Sequence, residues 1–83
     1  MYANSQALAA FAQVLGWLPA DATRERIDVL FRCEALHDLT GSHAERRRVL
    51  ADLDALADRI AAGDEAMRLR RRIALRRAAL ELD

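Results

Sequence analysis

Arginine is the residue whose number and spacing most suggest chemistry in this chain. Arg68, Arg70, Arg71, Arg72, Arg76 and Arg77 fall within residues 66–80 with no acid among them. Arg46, Arg47 and Arg48 form a second run. A guanidinium is a planar fork that bonds two oxygens of a phosphate or carboxylate at once. On a helix Arg68, Arg72 and Arg76 share one ridge, which suits a major groove or an RNA bulge. Three facts pull the other way. Positive charge near a helix C-terminus is favourable without any ligand. The chain has 13 arginines and no lysine, so a general bias accounts for part of the cluster. Asp52, Asp54, Asp58, Asp64 and Glu65 are placed to neutralise the ridge within the fold or across a dimer. No helix-turn-helix pattern or Asn/Gln-rich surface supports base reading. Nucleic-acid binding through these six arginines is therefore the second choice.

Cys33 and His37 are four apart and share a helix face, with Glu34, Asp38 and His43 close in sequence. Thiolate and imidazole are good zinc ligands. The chain holds one cysteine and two histidines, and neither a Cys-x-x-Cys nor a His-Glu-x-x-His spacing. A buried cysteine and an exposed histidine are the expected outcome, with no metal and no cofactor. The same pair is formally a nucleophile and a base. Neighbours on one short helix rarely face a concave pocket, however, and there is no phosphate loop or nucleophile elbow. The sequence reads as a non-enzyme.

Four helices are expected to position these residues. The first spans about 5–18, capped by Asn4 or Ser5, with Leu8, Phe11, Val14, Leu15 and Leu18 in one arc. Pro19 ends it. The second spans about 22–39, capped by Asp21 or Thr23. Its apolar residues, Ile27, Val29, Leu30, Phe31, Cys33, Leu36 and Leu39, go nearly all the way round, which marks a central helix. Gly41 supplies the stop.

Ser42-His43-Ala44-Glu45 reads as a capping box opening the third helix. Val49, Leu50, Leu53, Leu56, Ala57 and Ile60 then form a narrow stripe of the kind used in antiparallel bundles. Arg48 and Asp52 are spaced to pair. Gly63-Asp64 reads as a tight corner, with Gly63 ending one helix and Asp64 capping the next, in preference to one helix running through. The last helix, about 65–82, carries two apolar stripes. Ala66, Leu69, Ile73 and Leu80 make one; Met67, Leu75, Ala78 and Leu82 make the other. Two stripes imply contact on two sides.

Size and composition bound the function classes. Eighty-three residues make one domain, and 53% apolar content is too high for disorder. Eighteen of the apolar residues are alanine, which leaves a modest core. A chain near this length buries only about 60% of its unfolded surface and commonly adds disulfides, a metal or a partner. A lone cysteine excludes an internal disulfide and points weakly to a reducing compartment. Net charge is zero. Residues 1–20 carry no charged side chain, but a secretory signal needs a basic start, and Asn4, Gln6, Gln13 and Pro19 make the stretch too short and polar to span a bilayer. The expectation is a cytoplasmic protein with no membrane association.

The reading is an all-α single domain over residues 1–83, a small four-helix bundle with a C-terminal αα-hairpin, completed by oligomerisation. Its expected function is protein–protein interaction, as an adaptor, chaperone-like or regulatory subunit that buries apolar stripes against a copy of itself or a larger partner. Trp17, Met67, Leu75 and Leu82 are the expected apolar contacts, with Arg68, Arg72 and Arg76 as their polar rim. Trp17 either covers a second helix of the fold or is exposed at an interface, and Tyr2 is the remaining aromatic of interest beside it.

Overall fold

The structure, a computed structural model, describes residues 2–82; the side chain of Tyr2 lies outside the described residues. Four helices follow one another: α1 (Tyr2–Trp17), α2 (Thr23–Leu39), α3 (His43–Ala57) and α4 (Asp64–Leu82). No strand occurs among the described residues, and no helix is long and apolar enough to cross a membrane.

The helices are where hydrophobic periodicity puts them, but their ends are made differently from expectation. α1 begins ahead of Asn4 and Ser5, so neither caps it. α2 has Ala22 at its N-cap, with no side-chain cap bond from Asp21 or Thr23. Backbone turns serve instead: the amide of Ala22 donates to the Pro19 carbonyl at 3.1 Å, and that of Arg26 to Ala22 at 3.0 Å. Ser42 stands at the N-cap of α3, but the capping box does not form. The Ser42 hydroxyl is held by Thr40 Oγ1 at 2.9 Å. Glu45 pairs with Arg48 at 3.6 Å, which takes Arg48 away from Asp52.

Gly41 ends α2 as its sequence suggests. Its φ is 71°, a left-handed conformation that costs glycine nothing. The amide of Gly41 donates to Asp38 at 3.1 Å and that of Ser42 to His37 at 2.9 Å, the paired bonds of a Schellman turn. The chain breaks before α4 instead of running through as one helix, but Gly63 does not end α3 and Asp64 does not cap α4: Asp64 is already helical, and the Gly63 carbonyl accepts from the Met67 amide at 3.0 Å. α3 stops at Ala57, so Ile60 lies outside it, and Gly63 takes φ 156° just before α4 begins at Asp64.

Each helix approaches its neighbours in sequence, α1 on α2, α2 on α3 and α3 on α4, while α1 makes no close backbone approach to α3 or α4. The four therefore do not close into a ring. α2 is central, as its all-round apolar pattern requires. Leu39 is the exception, exposed at the helix end. Leu50, Leu53 and Ala57 of α3 are fully buried, with Leu30, Phe31, Ile73 and Leu80 around them. Leu8, Phe11 and Leu15 of α1 lie against this core half-buried. The molecule measures 39 × 34 × 15 Å. Helix axes pack about 8–10 Å apart, so it is no more than two helices thick. Its radius of gyration is 12.9 Å, against about 12 Å for an ordinary domain of this length. A slab this thin leaves every helix with a solvent face.

Candidate interaction surface on α4

α4 is rich in Ala, Leu and Arg, all strong helix formers. Asp64 and Glu65 in its first turn favour the positive end of its dipole. The first apolar stripe faces inward: Ala66, Ile73 and Leu80 are buried and Leu69 is half-buried. Arginines flank that stripe on both sides and fasten the helix. Toward α2, Arg72 lies 3.8 Å over the Phe31 ring. Arg76 reaches Glu34 at 2.5 Å and Asp38 at 3.3 Å. Toward α3, Arg77 meets Asp54 at 2.7 Å; toward the connection between α3 and α4, Arg70 meets Asp58 at 2.6 Å. Arg24 at the start of α2 holds Glu65 through two bonds of 2.7 and 2.6 Å.

Arg72 and Arg76, expected as part of a partner rim, are engaged within the fold. They turn toward α2, and of the expected rim only Arg68 stays outside. The ridge of arginines is largely a set of internal clamps. Its hydrogen bond to Glu34, opposed by burial and aided by the charges of Glu34 and Asp38, raises the Arg76 guanidinium above its ordinary value.

Behind α4 lies a polar cluster that the arginine runs conceal. Arg46 Nε donates to Glu34 Oε2 at 2.7 Å, and its Nη1 lies 3.1 Å from Asp38. Glu34 and Arg46 are each 1% exposed. Two guanidiniums and two carboxylates, Arg46, Arg76, Glu34 and Asp38, balance in charge and join α2, α3 and α4. Such a burial is tolerated because each charge is paired and hydrogen-bonded. A sequence signal for it exists. Glu34 sits four residues after Leu30, and Arg46 sits three, four and seven residues before Val49, Leu50 and Leu53. Both occupy core positions of their own stripes.

The second stripe of α4 faces out. Met67 is 61% exposed, Leu75 65% and Leu82 88%, and Ala78 is exposed with them. Trp17 is 78% exposed at the end of α1. α1 does not approach α4, so Trp17 is not brought together with the other three.

An open cleft of about 450 Å³ lies between α1, α2 and α3, lined by Leu15, Arg26, Leu30, Asp52, Leu56 and Arg59 among others. Both arginines are committed to the segment that follows α1. Arg26 donates to the carbonyls of Leu18 and Pro19 at 2.8 and 3.1 Å, and Arg59 to that of Ala20 at 3.0 Å. α1 has no basic residue in its own last turn, and these side chains supply that charge from elsewhere.

Cys33 is buried in the core cluster, and burial pushes its thiol up. A thiol so placed has less thiolate than a free one, which lowers its value as a nucleophile or ligand. Among the described residues no three His, Cys, Asp or Glu side chains gather to hold a metal ion. No protein family, curated protein or solved structure matches the chain.

Proposed function

We propose that this chain is a small helical protein–protein interaction module, an adaptor, chaperone-like or regulatory subunit that buries the outer face of α4 against another protein surface. The observation that carries the reading is the division of α4: one stripe clamped inside by four arginines, the other, Met67, Leu75, Ala78 and Leu82, presented to solvent. Burial of such a stripe contributes roughly 25 cal/mol for each Å² removed from water. The clamps matter to function because they hold the outer face rigid before binding, and rigidity reduces the entropic cost of association. A reducing cytoplasm suits the single unpaired thiol.

The nucleic-acid reading loses support from the same geometry. Arg70, Arg72, Arg76 and Arg77 already engage partners in the fold. A phosphate-binding ridge needs its guanidiniums directed at solvent.

Chemical cross-linking in the native host, followed by mass identification, tests the proposal. The wild-type chain should be recovered joined to protein, its own copy or another, and Leu75→Glu should abolish the adduct. Recovery as an uncross-linked monomer, or an adduct indifferent to Leu75→Glu and Met67→Glu, would overturn it.

A further inference from the structure

The outer face of α4 carries an exposed apolar row with charged residues in it and beside it. Its positions in order are Asp64, Met67, Arg71, Leu75, Ala78 and Leu82, at helical spacings of three and four. Arg71 lies in the middle of this apolar row, and Glu81 stands at its edge near the C-terminal end. Both are exposed, and neither forms an ion pair with another described residue. The remaining flanking arginines, Arg70, Arg72, Arg76 and Arg77, are tied into the fold. Asp64 at the start of the row and Arg68 at its other edge are likewise exposed without an ion pair to another described residue, so the face offers two cations and two anions, with Arg71 and Glu81 about ten residues apart along the helix.

We infer that a second copy of the chain seats on this face, with its α4 antiparallel to the first and centred between Ala74 and Leu75. The inference rests on the interaction reading above and names its partner. In this register Met67 lies against Leu82 of the second copy, and the Leu75 side chains of the two copies meet beside the two-fold axis. Arg71 lies against Ala78, whose short side chain leaves room for the guanidinium to reach Glu81 of the second copy, one turn further on. Two-fold symmetry makes each of these contacts twice.

Area and charge agree with this occupant. The chain exposes 5567 Å², about 600 Å² more than the roughly 5,000 Å² of an ordinary folded monomer of its mass. Two copies that each hid an area of that size would remove about 1,200 Å², the lower bound for a specific interface. Net charge is zero, so no long-range repulsion keeps copies apart.

Sedimentation equilibrium of the purified chain, from micromolar to several hundred micromolar, is the test, with helix content checked by circular dichroism. The wild type should sediment as a reversible dimer. Arg71→Glu and Glu81→Arg should each weaken it about tenfold or more, and the double exchange should restore it to within about threefold of wild type. A monomer at every concentration would overturn the inference, as would a dimer indifferent to both single changes or one that the double exchange fails to rescue. If the purified chain is monomeric yet cross-links to a different protein through Leu75 in its host, this inference fails and the interaction reading stands.

Discussion

Arg46 of α3 and Glu34 of α2 meet at 2.7 Å in the interior, where each side chain is 1% exposed. The pair joins two helices that also share the largest part of the core, and Arg76 brings α4 onto the same carboxylate. Removing one member leaves a charge buried without its partner. Glu34→Ala is expected to lower stability by about 3–5 kcal/mol. Arg76→Ala, at a more exposed position, should cost less, about 1–2 kcal/mol. Chemical denaturation of the two single variants and the double checks both values. The double should cost clearly less than the sum, since Glu34 is common to both interactions.

How far the sequence disclosed this cluster depends on what fixes each residue. The helices and the two faces of α4 follow from side-chain period, and the period of Met67, Leu75 and Leu82 is set apart from that of Ile73 and Leu80 by more than a quarter turn. The helix ends are less legible. Ser42 and Glu45 have the right types for a capping box, yet Thr40 and Arg48 compete for their oxygens. Arg46 was hidden by its neighbours: in a run of three arginines, one lies in the core and two are outside. Whether Arg72 and Arg76 face a partner or α2 depends on where Phe31, Glu34 and Asp38 arrive from another helix, and no local pattern gives that.

Glu65 provides a titration test of the link between the starts of α2 and α4. Its hydrogen bond to Arg24 holds the carboxyl below the usual carboxylate range. A lowered native value favours the folded state above the unfolded carboxyl's value of about 4.3 and loses that contribution as pH falls through the native value. NMR titration of Glu65 should show this depressed midpoint, and Arg24→Ala should return it to the ordinary range. An ordinary midpoint in the wild type would remove the link.

Burial of Cys33 has a kinetic consequence. The thiol is pushed up and enclosed, so a thiol reagent at pH 8 should modify the native chain slowly and the denatured chain fast. The sign for stability is opposite to that of Glu65: a raised thiol value contributes below the unfolded value of about 8.5 and is lost as pH rises through the native one. Cys33→Ala should flatten the alkaline decline seen by thermal melting. Equal labelling rates in the native and denatured states would contradict the placement.

Engagement of four of the six α4 arginines predicts weak nucleic-acid binding. Fluorescence anisotropy with duplex DNA at low salt should show no saturation at tens of micromolar. Tight binding with a slope of log affinity on log salt near −0.9 per phosphate, for several phosphates, would reverse the order of the two functional readings.

Met67 gives the most direct check on whether protein covers the outer face of α4. The residue is 61% exposed in the isolated chain, and exposed methionine is readily oxidised to the sulfoxide. Peroxide treatment followed by peptide mass analysis should oxidise Met67 quickly in dilute purified protein and slowly in freshly opened native cells, with Leu75→Glu abolishing the protection. Equal oxidation rates in both settings would mean that nothing sits on that face, and the account would be wrong.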